Sequence, residues 1–129
     1  MVDYKAIIGK EWSYGKQDCY EVLRQYYALL GVMLPHFERP KNLETTDSIF
    51  LRHAKALDFE RVEADEREEG DVLLMRLGTR TPMHAAIYLS GDRILHQRIN
   101  SISAIEPFRR YYRERLVAVY RHATCLAGR

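Results

Sequence analysis

An α+β fold is what this chain predicts, with helices first and an antiparallel sheet after them. Three observations carry the reading. Apolar residues recur at helical spacing over residues 18–30, DCYEVLRQYYALL, and a shorter helical pattern follows. From Val72 onward the pattern changes to short apolar runs separated by turn residues, the mark of strands. Helices gathered ahead of a meander of strands point to α+β, not to an alternating α/β sheet.

The first helix has a legible start and stop. Cys19, Val22, Tyr26 and Leu29, joined by Leu23 and Leu30, form one apolar stripe. Asp18 is a good N-cap, Glu21 three residues later completes a capping box, and Gly31 ends the helix as a C-terminal cap. Cys19 then takes the first helical position. Residues 32–43, with Pro35 and Pro40, read as a loop. A second helix is expected to begin near Thr46 or Asp47 and to carry Ile49, Phe50, Ala54 and Leu57. Apolar runs at residues 72–77, 85–89, 94–95 and 116–120 read as antiparallel strands, with a weaker strand at 61–63. The stretch PFRRYYRER from Pro107 reads as a short helix or turn before the last strand.

Length and composition bound the answer. A chain of 129 residues buries roughly two thirds of its unfolded surface, so residues 1–129 are expected to form one self-supporting domain. With 47% hydrophobic and 29% charged residues, disorder and collagen-like repeats are excluded. A net charge of +2 is too small to predict a nucleic-acid binder. Only two cysteines are present, Cys19 and Cys125, too few and too far apart for a disulfide framework. The N-terminal MVDYKAIIGKEW lacks the basic region, apolar stretch and cleavage site of a signal peptide. The apolar runs fall far short of the ~20 residues that span a bilayer. Synthesis in the cytoplasm without a signal peptide or transmembrane segment is the expectation.

Charge is uneven. Residues 44–71 hold ten acids against four bases, a balance of −6, whereas residues 98–129 hold seven Arg against Glu106 and Glu114, a balance of +5. Two readings are open: a basic face that meets an anionic polymer or a neighbouring subunit, or two solvated faces that complement each other within the fold.

Cys19 is the position where chemistry is easiest to place. The first turn of a helix carries partial positive charge worth about 0.3–1 kcal/mol to an anion. A neighbouring imidazolium lowers a thiol from about 8.5 toward 3–4. Against this, Cys19 lies on the apolar stripe, and free cysteine is commonly buried. A cysteine nucleophile needs a base, and His84 and His96 are the candidates. His84 opens HAAIYL and His96 closes the next strand, with Ser90-Gly91-Asp92 between. A two-residue loop places the two histidines on opposite faces of the sheet. A three-residue loop pairs Leu89 with Arg93 and makes them diagonal neighbours on one face, about 7–8 Å apart at the backbone. Three-residue hairpins containing glycine are common. His36, His53 and His122 read as structural.

The segments YGKQDCYEVLRQYY, EGDVLLM and MHAAIYLSGDRILHQ together resemble the NlpC-type papain-like cysteine peptidases. The shared pattern is Asp18-Cys19 at a helix start, Gly70-Asp71-Val72 before a strand, then His84 and His96 in that order. The longer stretch DCYEVLRQYYALLGVMLPHF and the ending VYRH resemble the phage-tail branch of that family. The resemblance implies Cys19 as nucleophile, His84 as general base and acid, and His96 as the polar residue that orients His84. It further implies a Cys-bearing helix packed on an antiparallel sheet and no cofactor. Peptidoglycan stem peptides are the implied substrate, other phage tail-tip proteins the implied partners, and a virion tail acting at the cell wall or periplasm the implied place of work. Tyr20, where the family carries a small polar residue, is a departure. The aromatic residue expected to line the oxyanion site is Trp12 or Tyr14; Tyr14 is favoured, with Asp18 beside it on the substrate-binding side. A zinc site from Cys19, His84 and His96 is a formal alternative, but no second cysteine or carboxylate lies near them in sequence. A tail-tip assembly or plug protein that keeps the fold without the reaction is the other functional reading.

Overall fold

The computed structural model describes residues 3–39, 49–78 and 84–124. Its helices are α1 (Cys19–Leu29), α2 (Ile49–His53) and α3 (Arg110–Arg113). Its strands are β1 (Phe59–Val62), β2 (Val72–Met75), β3 (His84–Leu89), β4 (Arg93–His96), β5 (Ala104–Pro107) and β6 (Leu116–His122). The six strands form one sheet in the order β1-β6-β2-β3-β4-β5, with antiparallel pairing throughout. The fold is α+β, as the residue pattern implies.

Helix α1 begins and ends where its caps dictate. Asp18 Oδ1 accepts from the Glu21 amide at 3.1 Å. Half of the expected capping box forms; the Glu21 carboxylate is turned to Arg24 and Arg39. At the other end Gly31 sits at φ 83°, Val32 N–H reaches Tyr27 O at 2.9 Å and Gly31 N–H reaches Ala28 O at 3.1 Å. That pair of bonds is a Schellman cap, which needs the left-handed backbone glycine supplies. The buried face differs from the aliphatic stripe: Leu29 is 48% exposed, while Tyr20 and Tyr27 are buried. Their hydroxyls explain it, because a buried tyrosine is stable once its O–H is paired. Tyr27 donates to Gly70 O and Tyr20 to Pro35 O at 2.7 Å.

The loop after α1 is strapped back onto the helix. Besides the Tyr20 bond, Arg24 donates to Leu34 O at 2.9 Å, and Arg39 reaches Asp18 and Glu21. The expected start of the second helix at Thr46 or Asp47 lies outside the described residues. Phe50 and Ala54 are buried as expected, and Phe50 packs edge-on against Phe59.

Two differences from the strand pattern are physical. Strand β5 was not legible, because AIEP is a short edge strand whose residues are only half-buried or exposed, so no apolar alternation marks it. The meander is also incomplete: β6 inserts between β1 and β2. The β3–β4 hairpin takes the three-residue loop, with Leu89 opposite Arg93 and Ile87 opposite Leu95. Gly91 and Asp92 both have positive φ in that turn.

Alternate residues of the sheet feed two apolar clusters. Val72, Leu74, Ala85, Ile87 and Leu95 join Val22, Leu23, Tyr26 and Tyr27 of α1. Leu73, Met75, Ala86 and Ile94 join Phe108 and Tyr112 on the other side. Between the acidic middle and the basic end runs one buried ion pair, Arg121 Nε to Asp71 Oδ1 at 2.8 Å and Nη2 to Oδ2 at 2.9 Å. Arg121 also donates to Glu66 O at 2.9 Å. This clamp ties β6 to the turn that launches β2. Removing one partner leaves a buried charge unpaired, so Arg121→Met is expected to lower stability by about 3–5 kcal/mol in urea unfolding. A loss below ~1 kcal/mol would mean that water reaches Asp71. Among the described residues no helix is long and apolar enough to cross a membrane.

Candidate active site

The residues singled out in the sequence lie on three elements that meet. Cys19 is the first residue of α1, His84 the first of β3 and His96 the last of β4. α1 packs on β3 and touches β4. Asp18 fixes the start of the helix from several sides: besides capping Glu21, it accepts from Gly15 N–H at 2.9 Å and from Arg39 in a two-pronged pair, 2.8 Å at each prong. Arg39 is almost wholly buried and stacks over the Tyr20 ring. Tyr20, the departure from the family pattern, therefore serves as a floor for this clamp.

Cys19 as a residue is half-buried, but its thiol lies inside the fold. Burial pushes it up to about 11, Asp18 adds to the rise, and the backbone of Ala85, Arg39 and the backbone of Tyr20 pull it down. Of the two opposing influences on Cys19, the helix start and burial on the apolar face, burial of the thiolate is the one that raises it. The Ala85 hydrogen bond sets the thiol against the residue that follows His84. His84 is held well below the ordinary histidine value, chiefly by burial and then by His96 and Arg98. Burial thus favours the uncharged form at both groups, the thiol and the imidazole. The rate of Cys19 alkylation by iodoacetamide, measured with Cys125 replaced by alanine, is expected to keep rising through pH 9 to 10. A plateau reached below pH 8 would contradict the burial effect.

His84 Nε2 and His96 Nδ1 are 2.8 Å apart, their rings nearly perpendicular at 5.0 Å. The hairpin register that lets them meet is the three-residue one. His96 Nε2 in turn lies 2.5 Å from Glu106 Oε2, and Tyr112 Oη donates to the same oxygen at 2.9 Å. Burial lowers the His96 value while Glu106 raises it. Glu106 was missed in the sequence because the strand that carries it was missed, and Tyr112, on α3, gains a role only through its bond to Glu106. No pattern in the sequence points to Glu106, because nothing in AIEP marks the strand that carries it. Gln97 was missed too: it is buried and accepts from Gln17 at 2.9 Å, while Gln25 donates to Gln17 at 2.8 Å. These amides join the end of β4 to the residue before Asp18, so the histidine strand and the cysteine helix are held in one frame.

Tyr14 sits in the turn closed by Ser13 and Gln17, stacked on Trp12 at 6.2 Å. Its hydroxyl is raised by partial burial and by Asp18, with Arg39 opposing and Cys19 adding a smaller push. Tyr14 thus lies within electrostatic reach of the thiol and of Asp18. The remaining histidines are elsewhere: His36 is 3.4 Å from Glu21, His53 stacks on Phe37 and His122 packs between Tyr27 and Phe59. Among the described residues no group of three His, Cys, Asp or Glu is arranged to hold a metal ion. The basic end carries Arg98, Arg109 and Arg115 over the Tyr111 ring and Arg113 over Phe108.

The fold that brings these residues together has counterparts among known proteins. The family model described as "NlpC/P60 family" matches residues 9–121. The chain belongs to the NlpC/P60 family. The tail tip assembly protein K of Escherichia phage lambda is 29% identical over 117 residues, which is 90% of this chain and 59% of that protein. Two crystal structures of NlpC/P60 family proteins share the fold. One, from Staphylococcus aureus subsp. aureus Mu50 and described as similar to lipoprotein, has a TM-score of 0.63 and 20% identity over 90% of this chain. The other, from Bacillus cereus ATCC 10987, has a TM-score of 0.54 and 17% identity over 81%. This NlpC/P60 chain spans 59% of the lambda protein and 37% and 31% of the two solved ones.

Proposed function

We propose that this chain is a cysteine peptidase, residues 1–129 acting as one domain, that hydrolyses amide bonds in peptidoglycan stem peptides. Cys19 is the nucleophile, His84 the general base and acid, and His96 the residue that orients His84. The observation that carries the reading is the 2.8 Å His84–His96 bond beside a thiol seated against the Ala85 backbone. Family membership supports hydrolase chemistry.

Because the thiol is protonated and His84 neutral at rest, the proton moves during attack. The thiol proton passes to His84, Sγ bonds to the amide carbonyl carbon, and the carbonyl oxygen takes negative charge. The Cys19 N–H at the helix start and the Tyr14 hydroxyl are the donors assigned to that oxyanion, with Asp18 on the substrate-binding side. His84 then gives its proton to the leaving amine as the C–N bond breaks and a thioester forms. Water, deprotonated by His84, cleaves the thioester to a carboxylic acid and restores the thiol.

The likeness to a tail tip assembly protein supports a place in a phage tail, with other tail-tip proteins as partners and the cell wall or periplasm as the site of action. That likeness also favours a second reading, in which the fold serves tail assembly alone. In that case Cys19→Ala leaves infection intact while Arg109→Ala or Arg113→Ala disrupts it. The test of the first reading is incubation with purified peptidoglycan and mass analysis of the soluble products. New amino and carboxyl ends in the peptide portion are expected. Intact stem peptides after prolonged incubation would overturn it.

A further inference from the structure

We propose that Glu106 is a positioning residue that fixes the tautomers of both histidines, so that His84 presents a lone pair on Nδ1 to the thiol. The proposal rests on the peptidase reading and adds to it a residue outside the Cys-His-His set. Strand pairing supplies the placement. Glu106 stands opposite Ile94, and His96 stands opposite Ala104, so Glu106 and His96 are diagonal neighbours across the β4–β5 ladder. The carboxylate is then in contact: Oε2 lies 2.5 Å from His96 Nε2.

The tautomers follow from what each atom is able to do. An ionised carboxylate only accepts, so His96 Nε2 carries a proton. A neutral His96 therefore has its lone pair on Nδ1. That lone pair faces His84 Nε2 at 2.8 Å, which obliges His84 Nε2 to donate. A neutral His84 is left with its lone pair on Nδ1, the form required of a base. Each step depends on the one before, and the series ends on Glu106.

Three side chains around the carboxylate, His96, Tyr112 and Arg109, favour its ionised form. From α3, Tyr112 Oη donates to Oε2 at 2.9 Å, and the Tyr112 ring meets His96 edge-on at 5.2 Å. Arg109 Nη2 stands 3.8 Å from the other oxygen, Oε1. Arg98, beyond the end of β4, and Arg109 both oppose protonation of His96. Glu106 itself is held below the ordinary carboxylate range, since His96, Tyr112 and Arg109 together outweigh its partial burial. During attack His84 becomes an imidazolium, and the Glu106 charge stabilises it through His96 without taking a proton.

The test has two arms on the intact protein. Long-range proton–nitrogen correlation spectra of histidine-labelled protein at pH 7.5 report which ring nitrogens carry protons. Wild type is expected to show Nε2–H on both His84 and His96, and Glu106→Ala to show a mixture at each. Wild-type His84 protonated on Nδ1 would overturn the proposal. This arm needs no substrate, so it decides the role of Glu106 even if peptidoglycan proves not to be cut. In the kinetic arm, Glu106→Ala is expected to lower kcat by about 10²- to 10⁴-fold with little change in KM. Glu106→Gln, which keeps an accepting oxygen, is expected to restore at least part of the wild-type tautomer signal and of kcat. A kcat within twofold of wild type in Glu106→Ala, with the protein folded by circular dichroism, would overturn it.

Discussion

Cys19→Ala is expected to abolish peptide release from peptidoglycan, with a loss of about 10⁴- to 10⁶-fold against wild type, the range seen when a covalent nucleophile is removed. The size follows from the mechanism: without Sγ no thioester forms, and the remaining groups offer only binding and oxyanion contacts. Cys19→Ser is expected to be nearly as inactive, because His84 is held well below the ordinary histidine range and is too weak a base for a hydroxyl. Alanine at the first position of α1 leaves the Asp18 cap and the helix face untouched. Thermal unfolding of Cys19→Ala is therefore expected to match wild type within a few degrees. Equal release by wild type and Cys19→Ala would remove Cys19 from the chemistry.

His84→Ala is expected to lower kcat by about 10³-fold or more, since it removes both the base for attack and the acid for the leaving amine. Its pH dependence separates this from a packing defect. With His84 neutral down to well below pH 6.5, wild-type kcat/KM is expected to stay level through the neutral range and to fall only in acid, and His84→Ala to lose that acid limb. The same burial has a stability consequence of definite sign. The folded value lies below the unfolded one, so between them the unfolded chain binds more protons, and stability falls as pH drops through that window. Above the unfolded value, about 6.5, this contribution is complete and constant. His84→Phe is expected to flatten the acid side of a urea-unfolding series. An unchanged slope there would mean that His84 is protonated in the folded chain.

Much of this arrangement was legible because short-range chemistry writes it. Asp18 before Cys19 and Gly31 after Leu30 mark both ends of α1 by capping alone, and Ser90-Gly91-Asp92 allowed the hairpin that brings His84 to His96. What was not legible depends on contacts distant in sequence. Tyr20 and Tyr27 are core residues only because Pro35 and Gly70 offer carbonyls. Strand β5 exists through pairing with β4, not through its own apolar pattern, and Glu106 came into view only with it. The balance at the thiol was not legible for a related reason: the helix field is local, whereas desolvation depends on what the rest of the chain packs over Cys19. Arg39, 21 residues past Asp18 in sequence, sits in the Pro-rich loop with no motif to announce it.

The central claim, that Cys19 is acylated by an amide-bearing substrate, is tested most directly by burst kinetics with a stem-peptide p-nitroanilide. Acylation releases p-nitroaniline before water cleaves the thioester, so a burst close to one equivalent per enzyme is expected, with the matching acyl mass on the peptide that contains Cys19 after acid quench. Steady release without that adduct at any quench time, at a rate shared by Cys19→Ala, would contradict it.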